Sequence, residues 1–427
     1  MNITERLHIF NLLLFFIVIL FSSCITDVII DDSTTKKDSK EIEDIISNVN
    51  LTNYPSLPKT TEIPIVAWHG IQEGHLNSYR FKEAKNAGIN LNYTHHTHVD
   101  SVEKSLNIAK DLGMKILIYC PELESDTKKT ILRFKEHPAN GGYFIKDEPT
   151  ASLIPRYKKL VNIIESIDST HFCYINLFSN QYSASTLESN DYRDYVSRYV
   201  NEMPLKFLSF DHYPIMGNFI SPIWYQNLEI IKDIADNNRI PFWAFALTTS
   251  HSGYPIPNMN HLRLQTYSNL LYGAKGIQYF TYWTLKSKRW DFNSGPIDEN
   301  GNKTKVYNCI QKMNNEICNL SSIFLSCKVV KISHFGILPI GTAEFDKPPF
   351  FIKSINIKGG NALMSELKND DDYYFIVQNT NLNKEIEINF SSDTETSIVL
   401  KNGKIVPAYI INNKFKLIPG DIAIFSH

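Results

Sequence analysis

Between residues 61 and 327 the chain repeats one alternation eight times. A short β-branched or aromatic run is followed by a longer stretch with apolar residues at helical spacing. The strand candidates are 63–70, 89–94, 115–120, 142–148, 172–178, 207–215, 241–247 and 276–283. Between two of them, Leu153, Tyr157, Leu160, Val161, Ile164 and Ile167 form one helical stripe. Trp224, Leu228, Ile231, Ile234 and Ala235 form another. Glycines that can end a helix, Gly88, Gly113 and Gly276, stand before several strands. Strands that alternate with helices pair in parallel, because parallel neighbours need a crossover. An open doubly wound sheet would usually carry a glycine-rich phosphate loop after its first strand, and here that strand ends Trp68-His69-Gly70-Ile71. Eight repeats in about 260 residues therefore predict a closed (β/α)8 TIM barrel.

The texture changes after a last helix near 305–324. Residues 328–427 alternate at period two and are broken by Lys358-Gly359-Gly360, Lys368-Asn369-Asp370-Asp371 and Lys401-Asn402-Gly403. This predicts a C-terminal β-sandwich. At the other end, Arg6 and His8 precede an apolar run that closes on Phe21-Ser22-Ser23-Cys24. A short apolar stretch ending in small residues is a secretory signal. Small residues before Cys24 resemble a lipobox, which implies acylation of Cys24 and a place in the cell envelope. The domain plan is a signal over 1–24, a polar tether over 25–60, the barrel over 61–327 and the sandwich over 328–427. The five cysteines beyond Cys24 show no metal spacing, and Cys120 and Cys173 lie in apolar runs as expected of buried thiols. A net charge of −2 supplies no basic excess for phosphates, which argues against nucleic acid as a partner. No cofactor motif is present.

Barrel chemistry sits at the C-terminal ends of the strands. Those ends read Trp68-His69, Asn92-Tyr93-Thr94-His95-His96, Tyr119-Cys120-Pro121-Glu122, Asp147-Glu148-Pro149, Asn176, Asp211-His212-Tyr213-Pro214, Thr248-Thr249-Ser250-His251 and Tyr282-Trp283. Carboxylates, amides, imidazoles and aromatic rings on one rim suit sugars, which offer hydroxyls and apolar ring faces. Breaking a glycosidic bond takes a proton donor and a second carboxylate. Glu148, half enclosed at a strand end, is the candidate donor. Trp68, His69, Tyr93, His95, Asp147, Asn176, His212, Tyr213, Trp243, Tyr282 and Trp283 are the candidate substrate contacts. Asp147-Glu148-Pro149 could instead only cap the following helix.

The run Tyr143-Phe144-Ile145-Lys146-Asp147-Glu148-Pro149 resembles the fourth-strand motif of clan A glycoside hydrolases. Tyr174-Ile175-Asn176-Leu177, Phe210-Asp211-His212-Tyr213-Pro214, Pro241-Phe242-Trp243-Ala244-Phe245 and the segment from Gly273 to Trp283 are similar to family 42 β-galactosidase-like barrels of Bacteroidetes lipoproteins. The resemblance spans about 62–325 and implies that Glu148 is the acid/base and that Trp283 is a sugar platform. Two departures stand out. Asp147 replaces the usual Asn, and the seventh strand carries no acid where the family places its nucleophile. The second carboxylate is then expected to be Asp211, with Glu122 and Asp147 as alternatives, or the chain binds glycans without cleaving them. The histidines leave a zinc hydrolase as an alternative, although the paired His of such barrels on strand one and the Asp on strand eight are missing.

Overall fold

The computed structural model describes residues 40–59, 62–411 and 413–427. Cys24, the signal segment and the first part of the expected tether lie outside the described residues.

Eight parallel strands form the barrel: β1 (Ile65–Trp68), β2 (Leu91–Tyr93), β3 (Lys115–Ile118), β4 (Asn140–Asp147), β5 (Cys173–Asn176), β6 (Leu208–Phe210), β7 (Phe242–Leu247) and β8 (Gly276–Phe280). Their order is β5-β4-β3-β2-β1-β8-β7-β6. A parallel bridge from Leu177 to Phe210 closes the ring, and Leu177 N–H donates to Ser209 O at 2.8 Å. The crossovers are α1 (Ser78–Asn86), α2 (Val99–Asp111), α3 (Thr127–Phe134), α4 (Ile154–Ile167), α5 (Tyr192–Glu202), α6 (Trp224–Asn238), α7 (Met259–Leu271) and α8 (Lys305–Asn319). Polar side chains cap several of them. Asn77, Asp191 and Asn258 accept from the backbone N–H groups of Arg80, Asp194 and His261.

Period-two alternation splits each barrel strand between two cores. Val66, Trp68, Leu91, Tyr93, Leu117, Phe144, Tyr174, Phe207, Trp243 and Phe245 fill the interior. Their neighbours Ile65, Ala67, Ile116, Ile118, Tyr143 and Ile145 face the helices. An aromatic plug of this size makes the barrel a solid scaffold, so chemistry is confined to its ends.

The sandwich packs a six-stranded sheet on a three-stranded one. In chain order its strands are β9 (Lys328–Phe335), β10 (Ile352–Lys358), β11 (Ala362–Lys368), β12 (Tyr373–Asn379), β13 (Ile386–Ser392), β14 (Ser397–Val399), β15 (Ile405–Pro407), β16 (Lys414–Leu417) and β17 (Ile422–Ser426). The sheets run β9-β11-β12-β17-β14-β15 and β10-β13-β16. Phe375, Val377, Ile388, Phe390, Phe415 and Phe425 lie between them.

α7 is buried on every side from Leu262 to Leu271, because barrel and sandwich both cover it. Polar residues bind the two together there. Arg263 pairs with Glu316 at 2.6 Å and with Asp421 at 3.3 Å, and Ser268 Oγ donates to Gln378 Oε1 at 2.7 Å. The tether expectation fails from residue 40 onward. Ile42 and Ile46 are buried in the sandwich core, Leu57 N–H donates to Gly403 O at 2.8 Å, and Ile405 N–H donates to Pro55 O at 2.9 Å. The isoleucines scattered among the acids of 41–46 supply enough apolar surface to hold this strap down.

Candidate active site

β4 sets the site. Its pairing with β5 runs Phe144 to Tyr174 and then Lys146 to Ile175, leaving Ile145 as a bulge. Asp147 pairs with Asn176. Glu148 then takes φ +45°, a left-handed conformation rare for a residue with a Cβ. Glu148 N–H donates to Asn176 O at 2.9 Å. Pro149 O accepts from the hydroxyls of Tyr195 at 2.8 Å and Tyr199 at 3.2 Å, which fixes the turn.

Asn176 is the hub. Its Nδ2 donates to Asp147 Oδ1 at 3.0 Å and to Asp211 Oδ1 at 3.2 Å. Its Oδ1 accepts from Ser209 Oγ at 2.9 Å, and Ser209 accepts from Gln278 Nε2 at 2.9 Å. This chain inside the barrel orients the Asn176 amide so that its N–H groups face the acids. The carboxyl of Glu148 is hydrogen-bonded to that of Asp211. Burial, then the negative charges of Asp211 and Asp147, push Glu148 up to about 10. Burial, then Asp147, push Asp211 up to about 7, against the hydrogen bonds from Asn176 and Glu148. Asp147 reaches solvent through the barrel mouth, yet the surrounding protein raises it too, against Asn176 and Lys146. Glu148 therefore holds its proton at neutral pH and Asp211 is the acceptor.

Rings surround these acids. Half-buried Tyr213 lies beside all three and stacks on Phe280 with centroids 5.4 Å apart. Tyr182 also feels the charges of all three acids, and Tyr254 feels that of Asp211. Across the mouth, His69 and His95 are 5.4 Å apart and His95 lies 4.7 Å from Tyr119. Burial pushes His69 down to about 3 and also lowers His95, so both imidazoles are neutral. Exposed Lys146 lies close enough to act on both His95 and Asp147. His251 is 5.8 Å from Phe280.

The other candidates fall elsewhere. Trp68 is walled in by Tyr93, Phe144, Tyr174 and Phe245 inside the barrel. Tyr93 belongs to the same plug, with its hydroxyl buried and unpartnered. Trp243 packs on Phe172 and Phe207 at the start of β7, the end opposite the acids. His212 turns outward to Asn227 Oδ1 at 3.0 Å, since it alternates with Asp211. Tyr282 is buried near Glu83 and Tyr307 on the helix side. Trp283 is covered by His75 at 4.6 Å and Arg80 at 5.2 Å. Glu122 accepts from Val99 N–H at 3.3 Å and lies 3.5 Å from His98, away from the acid cluster. Sequence reasoning passed over Lys146, Tyr182, Tyr254 and Phe280 as site residues. Tyr182 and Tyr254 come from loops with no periodic signal, and the other two sit beside residues that drew attention first. Among the described residues, one group of three carboxylates could share a cation, Glu41, Glu43 and Asp421, and Lys401 already bridges Glu43 and Asp421.

No family model and no curated protein matches this sequence. Solved structures do match. A β-galactosidase from Bacillus circulans sp. alkalophilus aligns over 86% of this chain and 99% of its own, at 9% identity and a TM-score of 0.57. A family 39 glycoside hydrolase from the gut symbiont Bacteroides cellulosilyticus WH2 aligns over 87% and 82%, at 10% identity and a TM-score of 0.53. A β-galactosidase from the psychrophilic Marinomonas ef1 is covered over 59% of its own length and 60% of this chain, at 10% identity and a TM-score of 0.46. The first two share this chain's fold, a TIM barrel followed by a β-sandwich.

Proposed function

We propose that the protein is a glycoside hydrolase that cleaves β-linked oligo- or polysaccharides, with Glu148 as proton donor and Asp211 as the second carboxylate. The observation that carries this reading is the gathering of Glu148, Asp211 and Asp147 around Asn176 beneath a rim of rings. A glycosidic oxygen entering between the two carboxyls would replace Asp211 as the acceptor of the Glu148 proton. As that proton moves to the leaving oxygen, the bond from the anomeric carbon to it breaks. Water adds its hydroxyl to that carbon and gives its second proton to a carboxylate. Retaining enzymes hold their carboxyls about 5–5.5 Å apart and inverting ones about 6.5–9.5 Å. Glu148 and Asp211 share a hydrogen bond, so a bound sugar would have to part them. Tyr213, Phe280, Tyr182 and Tyr254 offer ring faces to stack on the sugar. The resemblance to family 42 barrels and the β-galactosidase neighbour make β-galactosides the first substrates to try.

The test is hydrolysis of a panel of aryl β-glycosides by wild type and Glu148→Gln, with the first-formed anomer read by proton NMR. Loss of about 10²–10⁴-fold in the variant supports the reading. A second reading is favoured by the contact between Glu148 and Asp211 and by the absence of an acid on β7: a glycan-binding protein that does not hydrolyse. It stands if both proteins are inactive and bind glycan equally. We further propose an envelope location through a lipid on Cys24. Incorporation of labelled palmitate that survives Cys24→Ala would remove it.

A further inference from the structure

The loop after β8 carries Lys286-Ser287-Lys288-Arg289-Trp290, all exposed. Lys286, Lys288 and Arg289 put three cations in four residues. Lys286 has only a marginal partner, Glu299 at 4.0 Å. Among the described residues Lys288 and Arg289 form no ion pair. The nearest acid in sequence, Asp291, accepts from Ser252 N–H at 2.7 Å. The loop is anchored to the barrel mouth. Ser250 and Asn293 exchange backbone hydrogen bonds at 3.0 Å, and Thr249 Oγ1 donates to Asn293 O at 3.1 Å. Arg289 lies over the Trp290 ring at 5.0 Å, which fixes its guanidinium beside an aromatic face.

A line of rings joins this loop to the acids. Tyr213, beside Asp211, stacks on Phe280 at 5.4 Å, Phe280 meets His251 at 5.8 Å, and His251 meets Trp290 at 6.4 Å. Trp290 is 41% exposed, so its ring is open to a ligand. Along this path the acids lie at the barrel axis, with Lys146 beside Asp147, and Lys288 and Arg289 lie at the outer end. A neutral glycan has no use for the cations. A glycan bearing anions would be repelled from the acids and held at the outer end.

We infer that the ligand is an acidic glycan several sugars long, whose sulfate or carboxylate groups are held by Lys288 and Arg289 while a sugar ring lies on Trp290. This rests on the reading of the mouth as a glycan site and adds its substrate class. Phosphate-bearing polymers share the charge but not the sugar ring that Trp290 would stack, which gives the test its control.

Binding is measured by titration calorimetry on Glu148→Gln, so that no polymer is cleaved. The probes are a neutral galactan, a sulfated galactan, a polygalacturonate and polyphosphate. At least one acidic glycan should bind about tenfold more tightly than the neutral one, and which one identifies the anion. Lys288→Ala with Arg289→Ala should weaken it by at least about tenfold, and added salt should do the same. Lys347→Ala with Lys358→Ala, on the sandwich, should not. Equal affinity for neutral galactan or for polyphosphate overturns the inference, as does an indifferent Lys288/Arg289 variant that melts like wild type. Hydrolysis of aryl glycosides without preference for acidic polymers sinks this inference alone. Tight binding of an acidic glycan with no hydrolysis sinks the hydrolase reading alone.

Discussion

Replacing Glu148 by Gln should cost activity and increase stability, and the gain should depend on pH. Gln has the shape of a protonated Glu and can donate the same hydrogen bond to Asp211. The wild-type carboxyl is pushed from 4.5 up to about 10, chiefly by burial and then by Asp211 and Asp147. A carboxyl raised in the folded state binds a proton that the unfolded chain has already released. Its contribution to stability is fully present below about pH 4.5 and is lost as pH rises toward about 10. At pH 7 the span above 4.5 is about 2.5 pH units, worth about 3 kcal/mol at 1.36 kcal/mol per unit. Asp211 shares the proton and the mouth admits solvent, so about 1–2 kcal/mol should survive into the measured value. Glu148→Gln removes this penalty. Its urea midpoint should exceed that of wild type at pH 7, exceed it further at pH 9, and match it at pH 4.5. A gain of equal size at all three pH values, or none at pH 9, would refute the buried, protonated Glu148.

Asn176→Ala deletes the donor that lowers both Asp147 and Asp211, so the acid limb of the kcat/KM profile should move up by about one pH unit. An unmoved limb would remove Asp211 from the mechanism. Arg263→Ala leaves the buried carboxylate of Glu316 without a cation, while Lys401 still pairs with Asp421, and should cost about 3–5 kcal/mol, read as a lower thermal midpoint. A wild-type melt would show that this network does not join barrel to sandwich. Ile46→Ala should cost about 2–3 kcal/mol and expose the strap around residues 40–59 to limited proteolysis, and an uncut strap would count against its docking.

Much of this architecture is legible in the sequence because its signals are long. Eight repeats of strand and helix, and the switch to period two after residue 327, survive errors of a few residues at any boundary. The acid cluster is legible for the same reason: Asp147, Glu148, Asn176 and Asp211 all end predicted strands. What the sequence hides is the direction of each side chain at a strand end. His212, Tyr282 and Trp283 stand beside mouth residues in the chain but turn toward the helices, and Trp68, Tyr93 and Trp243 fill the plug. One step of register decides each case, and composition carries no information on it. The docked strap is hidden because three isoleucines among acids read as a polar segment until a sheet is there to receive them.

The irregularity of β4 shows how the site overrides that alternation. In an unbroken strand, adjacent residues point to opposite faces, so Asp147 and Glu148 could not both reach Asp211. The bulge at Ile145 and the left-handed turn at Glu148 break the alternation within four residues. Each is unfavourable alone: the bulge loses ladder pairing, and a left-handed non-glycine residue costs about 1–3 kcal/mol. They persist because Tyr195 and Tyr199 hold the Pro149 carbonyl and Asn176 holds the Glu148 N–H. The closeness of the acids is therefore set by the backbone, and side-chain rotation alone does not create it. Packing by itself gives no reason to set three carboxyls together, because burial and then their repulsion raise the pKa values of Glu148 and Asp211 and weaken the fold at neutral pH. On the proposed reading, a turn held in strain to keep that arrangement serves to keep a proton ready at Glu148 for an arriving glycoside.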